Sequence, residues 1–211
     1  PDVDAETHPY IATGLQENKF GIEIEKAPDI YLQAANDLNL KIRGVDCHIG
    51  SQLTTLQPFD DALQRVLMLV DTLASENISL EHIDIGGGLG VTYKNEKPPA
   101  IAEYVSHLVN ILGGRKLGLY FEPGRSIVAN AGYLLTRVDT IKSNPIKNFA
   151  IVDAAMNDML RPALYNAWVE ILPLSTASQA DAREYDIVGP VCETGDFLGK
   201  SRKLAIEEND L

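Results

Sequence analysis

Long apolar runs, paired cysteines and an excess of basic charge are all missing from this 211-residue sequence. No stretch approaches the roughly 18 consecutive apolar residues that a membrane-spanning helix needs, so the sequence predicts no membrane span. The two cysteines, Cys47 and Cys192, form no C-x-x-C pair, which favours reduced thiols and a cytoplasmic location. The 18 basic and 30 acidic side chains give a net charge of −12, which argues against nucleic-acid and anionic-membrane partners.

Two nucleotide-binding fingerprints are also missing, although a glycine run invites the comparison. The strand-like segment 81–91, "EHIDIGGGLGV", contains Gly86, Gly87 and Gly88 in succession. No P-loop lysine follows them, and their spacing is too compressed for the dinucleotide pattern G-x-G-x-x-G. Because successive glycines free backbone N–H groups to converge on an anion, the run predicts a phosphate cradle of another kind. The alternative is a tight strand-to-helix turn without a ligand.

What is present is a repeat of strand and helix every thirty-odd residues. Each strand ends in a polar tip, at His48, Gly86 and Glu122. Such alternation predicts parallel strands with right-handed crossovers, in either a doubly wound open sheet or an eight-fold barrel. Both architectures place functional residues at the carboxyl ends of the strands. Apolar periodicity predicts helices near 28–39, 58–77 and 99–113, the second with Leu63, Val66, Leu67, Val70 and Leu73 inside and the third with Ile101, Val105, Leu108 and Leu112 inside.

The alternation of predicted strands and helices ends after about residue 128. Segments such as "AGYLLTRVDTIKS", "NFAIVDAAMNDM" and "REYDIVGPVCETGDFLG" are typical of strands with little helix between them. We therefore predict an α/β part over residues 1–130 and a mostly β part over residues 131–211.

The neighbouring strand tips add side chains suited to a flat, phosphorylated ligand. Glu122 can accept a hydrogen bond from a heterocyclic N–H, while Gly124 and Arg125 can meet an anion. His48 offers an aromatic plane, and the hydroxyl of Ser51 can donate to a phosphate. The alternatives are a surface Pro-Gly turn with a solvated ion pair and a structural histidine.

Five ordered motifs resemble one family. "HIGSQ", "DIGGGLGV", "EPGRSIVANAG", "MNDMLRPALYNAW" and "GPVCETGD" are similar to segments of the fold-type III pyridoxal-phosphate-dependent decarboxylases, and the lead-in over residues 1–23 resembles them too. The residues of these motifs most resemble those of the branch of the family that converts meso-diaminopimelate to L-lysine and CO2. The resemblance implies the C-terminal part of a (β/α)8 TIM-type barrel followed by part of a mostly β domain.

The resemblance implies pyridoxal 5'-phosphate as the cofactor and assigns a role to each strand tip. His48 is implied to stack on the pyridine ring as one of the catalytic residues, and Glu122 to pair with the ring nitrogen. No metal is expected. The implied contacts to the cofactor, mainly to its phosphate, come from Ser51, Gly86, Gly87, Gly88, Pro123, Gly124 and Arg125.

The resemblance also implies residues that bind the amino-acid substrate and complete its reaction. Cys192 is implied to deliver the proton that replaces CO2, and Glu193 to bind the distal ammonium. Arg125, Arg161 and Tyr165 are implied to hold the distal carboxylate, for which a guanidinium offers bidentate geometry. Cys192 and Glu193 are implied to reach a partner's site, so a homodimer is expected. Without the resemblance, Cys192 could be a small buried thiol, Arg161 a surface residue that caps a turn, and Tyr165 a core aromatic.

One requirement of this family has no match in the sequence. The lysine that binds the cofactor covalently in this family has no counterpart among Lys19, Lys26 and Lys41. Since the chain also starts without methionine, we expect a fragment that is inactive by itself. Alternatives are a decarboxylase acting on ornithine, arginine or a carboxylated polyamine, and a non-catalytic relative of the same fold.

Overall fold

A computed structural model describes residues 1–3, 13–14, 19–175 and 180–211. Most of the lead-in that resembles the decarboxylases lies outside these residues. The chain divides into two compact units, which are described separately. Unit 1 comprises Pro1–Thr92 and Glu96–Ala131, and unit 2 comprises Tyr93–Asn95 and Gly132–Leu211. No helix in the described part of the chain is long and apolar enough to cross a membrane.

Unit 1 contains a parallel three-stranded sheet in the order β1-β2-β3. Its strands are β1 (Gly44–Asp46), β2 (His82–Asp84) and β3 (Gly118–Tyr120). Val45 pairs with Ile83 and Ile83 with Leu119, so the three strands end at one edge. The parallel arrangement predicted from the repeat is confirmed. The three strands are shorter than the apolar runs suggest, because the backbone of each strand leaves the hydrogen-bonded sheet just before the polar tip.

The helices of unit 1 are α1 (Ala27–Ala35), α2 (Gln57–Ser75), α3 (Ile101–Leu112) and the short α4 (Arg125–Val128). On α2 the predicted apolar stripe is confirmed, since all five predicted residues are buried. Together with Phe59, Ile83, Ile85 and Leu108 these residues form the core of the unit. The prediction for Ile101 is wrong, because this side chain is 62% exposed. Tyr104, Leu108 and Leu112 form the buried stripe of α3 instead.

Unit 2 is built on a mixed four-stranded sheet in the order β4-β5-β6-β7. Its strands are β4 (Val138–Ser143), β5 (Asn148–Val152), β6 (Arg183–Val188) and β7 (Phe197–Leu204). Only β5 and β6 are parallel, and the connection between them contains the helix α5 (Leu160–Tyr165). The loops that follow β5 and β6 therefore leave the sheet at the same edge, which is where the remaining predicted site residues lie.

Candidate functional site

The first strand tip carries His48, which is held by the glycine loop of the second. The Gly87 amide donates to Nδ1 of His48 at 3.2 Å. Because Nδ1 accepts this hydrogen bond, Nε2 is the ring nitrogen left to donate. The His48 carbonyl also accepts a hydrogen bond from the Thr13 hydroxyl at 2.7 Å. These two hydrogen bonds fix the orientation of the half-buried His48.

The glycine run is required by the packing of the strand tips themselves. Gly86 and Gly88 have φ angles of +71° and +103°, which strain any residue with a side chain. A Cβ on Gly86 would lie 2.5 Å from the Cys47 carbonyl oxygen, and one on Gly87 would lie 2.4 Å from that of Glu122. The chain crosses so close to both neighbouring tips that only glycine fits, whether or not a ligand is bound.

The amides of the loop divide into two groups. The Gly86 amide donates to Asp84 Oδ1 at 2.9 Å, and the Gly87 amide is used by His48. Among the described residues, the Gly88 and Gly124 amides meet no acceptor. A Cβ on Gly124 would find nothing within 4 Å, so this position faces open space. The structure thus leaves the amides of Gly88 and Gly124 available to an anion, but not those of Gly86 and Gly87.

The third tip brings a carboxylate into an acidic cluster. The Glu122 amide donates to the Gly86 carbonyl at 2.9 Å, which joins the second and third tips. The carboxylates of Asp46, Asp84 and Glu122 lie within 4.8 Å of one another. Partial burial and the negative charge of Asp84 raise the pKa of Asp46, whereas His48 acts in the opposite direction. Glu122 and the neighbouring Pro123 are exposed, so the Glu122 carboxylate can reach a ligand.

Gln52 joins all three tips, and the sequence analysis did not identify it. Its Nε2 donates to the Val91 carbonyl at 2.6 Å, and its Oε1 accepts from the Val91 amide at 3.1 Å. The same oxygen accepts from Nη1 of Arg125 at 3.2 Å. Its φ of +66° is uncommon for a residue with a side chain and is a form of strain that often marks functional sites. The one sequence signal was its place directly after Ser51, which is half-buried in the same turn.

In unit 2, Arg161 lies beside two aromatic rings. Its guanidinium carbon is 5.3 Å from the ring centre of Tyr165 and 6.0 Å from that of Tyr93. Both distances fall within the range of cation–π attraction. The Arg161 Nε is buried and has no hydrogen-bond partner among the described residues. The structure therefore brings Arg161 and Tyr165 together, and adds Tyr93, which the sequence analysis did not consider.

Cys192 and Glu193 lie in the loop between β6 and β7, and both are exposed. The Gly195 amide makes a long hydrogen bond of 3.4 Å to Glu193 Oε1. The other thiol, that of Cys47, is buried in unit 1, and burial raises its pKa to about 12. Cys192 is therefore the accessible one of the two thiols.

Comparisons with known proteins agree on one family for this chain. Residues 1–129 match the family model described as pyridoxal-dependent decarboxylase, pyridoxal binding domain. Diaminopimelate decarboxylases from Pseudomonas fluorescens and Vibrio cholerae are 62% and 57% identical over 211 and 212 residues, covering 100% of this chain. These alignments cover 50% and 51% of the two relatives, so the chain spans about half the length of the relatives it matches.

Solved structures give the same result. The chain superposes on diaminopimelate decarboxylase from Helicobacter pylori complexed with L-lysine with a TM-score of 0.93 at 43% identity, covering 100% of this chain and 52% of that one. The M. jannaschii enzyme in complex with L-lysine gives 0.90 at 38% identity, with 100% and 50% coverage. These similarities confirm the predicted fold class, part of an α/β barrel followed by part of a β domain. The chain belongs to the pyridoxal-dependent decarboxylase family.

Proposed function

We propose that this chain works within a longer enzyme that decarboxylates meso-diaminopimelate to L-lysine and CO2 with pyridoxal 5'-phosphate. The supporting observation is the joining of three strand tips, in which the Gly87 amide holds His48 and the Glu122 amide binds the Gly86 carbonyl. Identities of up to 62% to diaminopimelate decarboxylases over the whole chain support the same substrate. The part of the relatives' length that this chain does not cover would supply the lysine that binds the cofactor covalently.

The residues of unit 1 fit the proposed cofactor. When bound, pyridoxal phosphate supplies an electron sink for the charge left by the departing α-carboxylate. His48 would stack on the ring of the cofactor, and the exposed Glu122 carboxylate would accept a hydrogen bond from the ring nitrogen. The phosphate would accept hydrogen bonds from the amides of Gly88 and Gly124 and from the Ser51 hydroxyl, beside Pro123 and Arg125. Gly86 and Gly87 contribute indirectly, because they hold the loop and the imidazole in place.

The residues of unit 2 fit a substrate with an amino-acid group at its far end. Arg161 lies against two aromatic rings and would bind the distal carboxylate, with the Tyr165 hydroxyl as a further donor. Arg125, which belongs to unit 1, is proposed as another donor to this carboxylate. Glu193 accepts the distal ammonium. The Cys192 thiol delivers a proton to the carbon that has lost CO2.

The assembly forms a further part of the proposal. Cys192 and Glu193 are exposed at a loop tip, which supports their serving the site of a second subunit in a homodimer. Two free cysteines support a cytoplasmic location. The boundary between a barrel part (residues 1–130) and a β part (residues 131–211) also stays a proposal.

The substrate can be tested with the full-length protein. We expect release of CO2 and L-lysine from meso-diaminopimelate, with much lower kcat/KM for L-ornithine and L-arginine. Replacing Arg161 by methionine should lower kcat/KM for diaminopimelate by about 100-fold or more, because a bidentate charged contact is lost. Arg43→Met is the matched control, since Arg43 forms an exposed ion pair with Glu81. Faster turnover of ornithine than of diaminopimelate would overturn the proposed substrate.

The cofactor can be tested separately by absorption during titration with pyridoxal phosphate. Gly124→Asp places a negative charge at the proposed phosphate position without a steric clash, because that position faces open space. Gly87→Asp would not serve, since its side chain would collide with the Glu122 carbonyl. Gly132→Asp is the control, as Gly132 also faces open space and lies in unit 2. Equal cofactor affinity in both variants would contradict the phosphate site.

A further inference from the structure

Two buried carboxylates stand out among the described residues of unit 2. Asp186 is 6% exposed and pairs with Nζ of Lys147 at 2.7 Å. Asp196 is 3% exposed, and none of the described residues forms an ion pair with it. Because a buried carboxylate is costly unless other donors satisfy it, its hydrogen-bond partners show what it does.

Those partners are backbone amides from two different loops. The Met156 amide, in the loop after β5, donates to Asp196 Oδ1 at 2.6 Å. The Val191 amide, in the loop after β6, donates to Oδ2 at 2.8 Å. Since β5 and β6 are parallel neighbours, both loops begin at the same sheet edge, and the carboxylate lies between them. Each oxygen of the Asp196 carboxylate therefore accepts a hydrogen bond from one of the two loops.

The surroundings of Asp196 are built to admit this carboxylate. A Cβ on Gly189 would lie 2.4 Å and 2.7 Å from its two oxygens and 2.8 Å from the Ala154 carbonyl. The space therefore exists because residue 189 has no side chain. The loop closes above it, with the Asp196 amide donating to the Glu193 carbonyl at 3.0 Å and the Glu193 amide to the Val191 carbonyl at 2.8 Å.

We infer that Asp196 is a positioning residue for the reaction, setting the Cys192–Glu193 loop through Val191 and the approach to α5 through Met156. The inference rests on the proposed function, in which the first loop carries the proton donor and the second leads to Arg161. One carboxylate then determines where both segments lie relative to each other within unit 2. Asp196 itself does not touch the substrate in this role.

The chemistry of the side chain makes the inference testable by exchanging one carboxylate oxygen for an NH2 group. An aspartate offers an acceptor to each amide, whereas an asparagine of the same size must turn its NH2 towards one of them. Asp196→Asn therefore releases at least one loop. Asp186→Asn is the matched control, because Asp186 is equally buried and accepts the Ser201 amide at 2.9 Å. Neither of its partners belongs to the Cys192 loop.

The first measurement is amide hydrogen exchange in the wild-type, full-length protein. The Val191 and Met156 amides lie in loops, yet they should exchange at least about 100-fold more slowly than the Cys192 amide. The Cys192 amide has no acceptor among the described residues. Fast exchange at Val191 and Met156 would overturn the inference without any variant.

The second measurement compares the variants in exchange and in steady-state kinetics. Asp196→Asn should speed exchange at Val191 or Met156, lower kcat by at least about tenfold and raise KM, because donor and ammonium ligand both shift. Gly189→Ala keeps the carboxylate but crowds it, and should act in the same direction. Asp186→Asn should leave kcat and KM near wild type. Kinetics in Asp196→Asn that match those of Asp186→Asn would overturn the positioning role.

The two proposals fail in different ways. If the Val191 and Met156 amides exchange slowly but the wild type does not turn over diaminopimelate, the hydrogen bonds to Asp196 are supported and the proposed substrate is wrong. If the wild type turns over diaminopimelate but both amides exchange fast, the proposed substrate is supported and the positioning role of Asp196 is wrong.

Discussion

Replacing Gly87 by alanine should destabilise unit 1 through a single atom. The added Cβ would lie 2.4 Å from the Glu122 carbonyl oxygen, where contacts below 3.0 Å are essentially never found. The second and third strand tips must therefore separate by roughly 1 Å, and overpacking of this kind costs about 1–3 kcal/mol. The separation also weakens two hydrogen bonds between tips, from Gly87 to His48 and from Glu122 to Gly86. Loss of each bond costs about 1 kcal/mol of stability.

The expected loss in the free energy of unfolding is therefore about 3–5 kcal/mol, a large part of the 5–15 kcal/mol typical of a folded domain. Urea denaturation of the full-length protein, followed by circular dichroism, measures it. Gly132→Ala is the control, since its Cβ meets nothing within 4 Å, and it should change stability by less than about 0.5 kcal/mol. If Gly87→Ala unfolds at the same urea concentration as Gly132→Ala, the close approach of the tips is refuted.

Three further predictions concern single ionisable groups. In native chain at pH 8, a thiol reagent should modify Cys192 and spare Cys47, which is buried with its pKa raised to about 12; rapid reaction of Cys192→Ser would contradict this. Asp46 has a raised pKa from burial and from Asp84, so its ionisation favours unfolding as pH rises above about 4. Asp46→Asn should therefore increase thermal stability at pH 7 but not at pH 3, and equal effects at both would refute the reasoning. Burial raises the pKa of Asp186, but hydrogen bonds from Lys147 and the Ser201 amide hold it below its usual value. That stabilisation is present above about pH 4 and lost as pH falls, so Asp186→Asn should cost about 1–3 kcal/mol at pH 7 and much less at pH 3.

Much of unit 1 follows from local sequence signals. The buried stripe of α2 was predicted because its apolar residues recur at helical spacing, and such spacing needs no knowledge of the neighbours. The three strand tips were predicted to lie together because parallel strands end at one edge, and the hydrogen bonds at His48 and Glu122 show that they do. Ile101 was placed inside by the same rule, but Tyr104 occupies the buried position, since periodicity alone does not choose between adjacent faces.

The assignment of amides could not have been made from the sequence. All three glycines appeared equally able to donate to a phosphate, yet two of their amides are used by Asp84 and His48. Whether an amide is available depends on which side chain reaches it, and His48 lies 39 residues from Gly87 along the chain. The sequence signal, a run of glycine, reports that backbone must approach something closely, but not what that something is.

By itself the sequence determined the alternation of strands and helices, the place of the polar tips and the family to which the motifs belong, because each of these depends on residues close together in the chain. The tertiary structure alone decided how the tips are joined. Gln52 reaches Val91 and Arg125, and Asp196 reaches Met156 across 40 residues. A hydrogen bond between distant residues needs both groups to arrive at one point with the right orientation, and only the packing of the sheets brings them there.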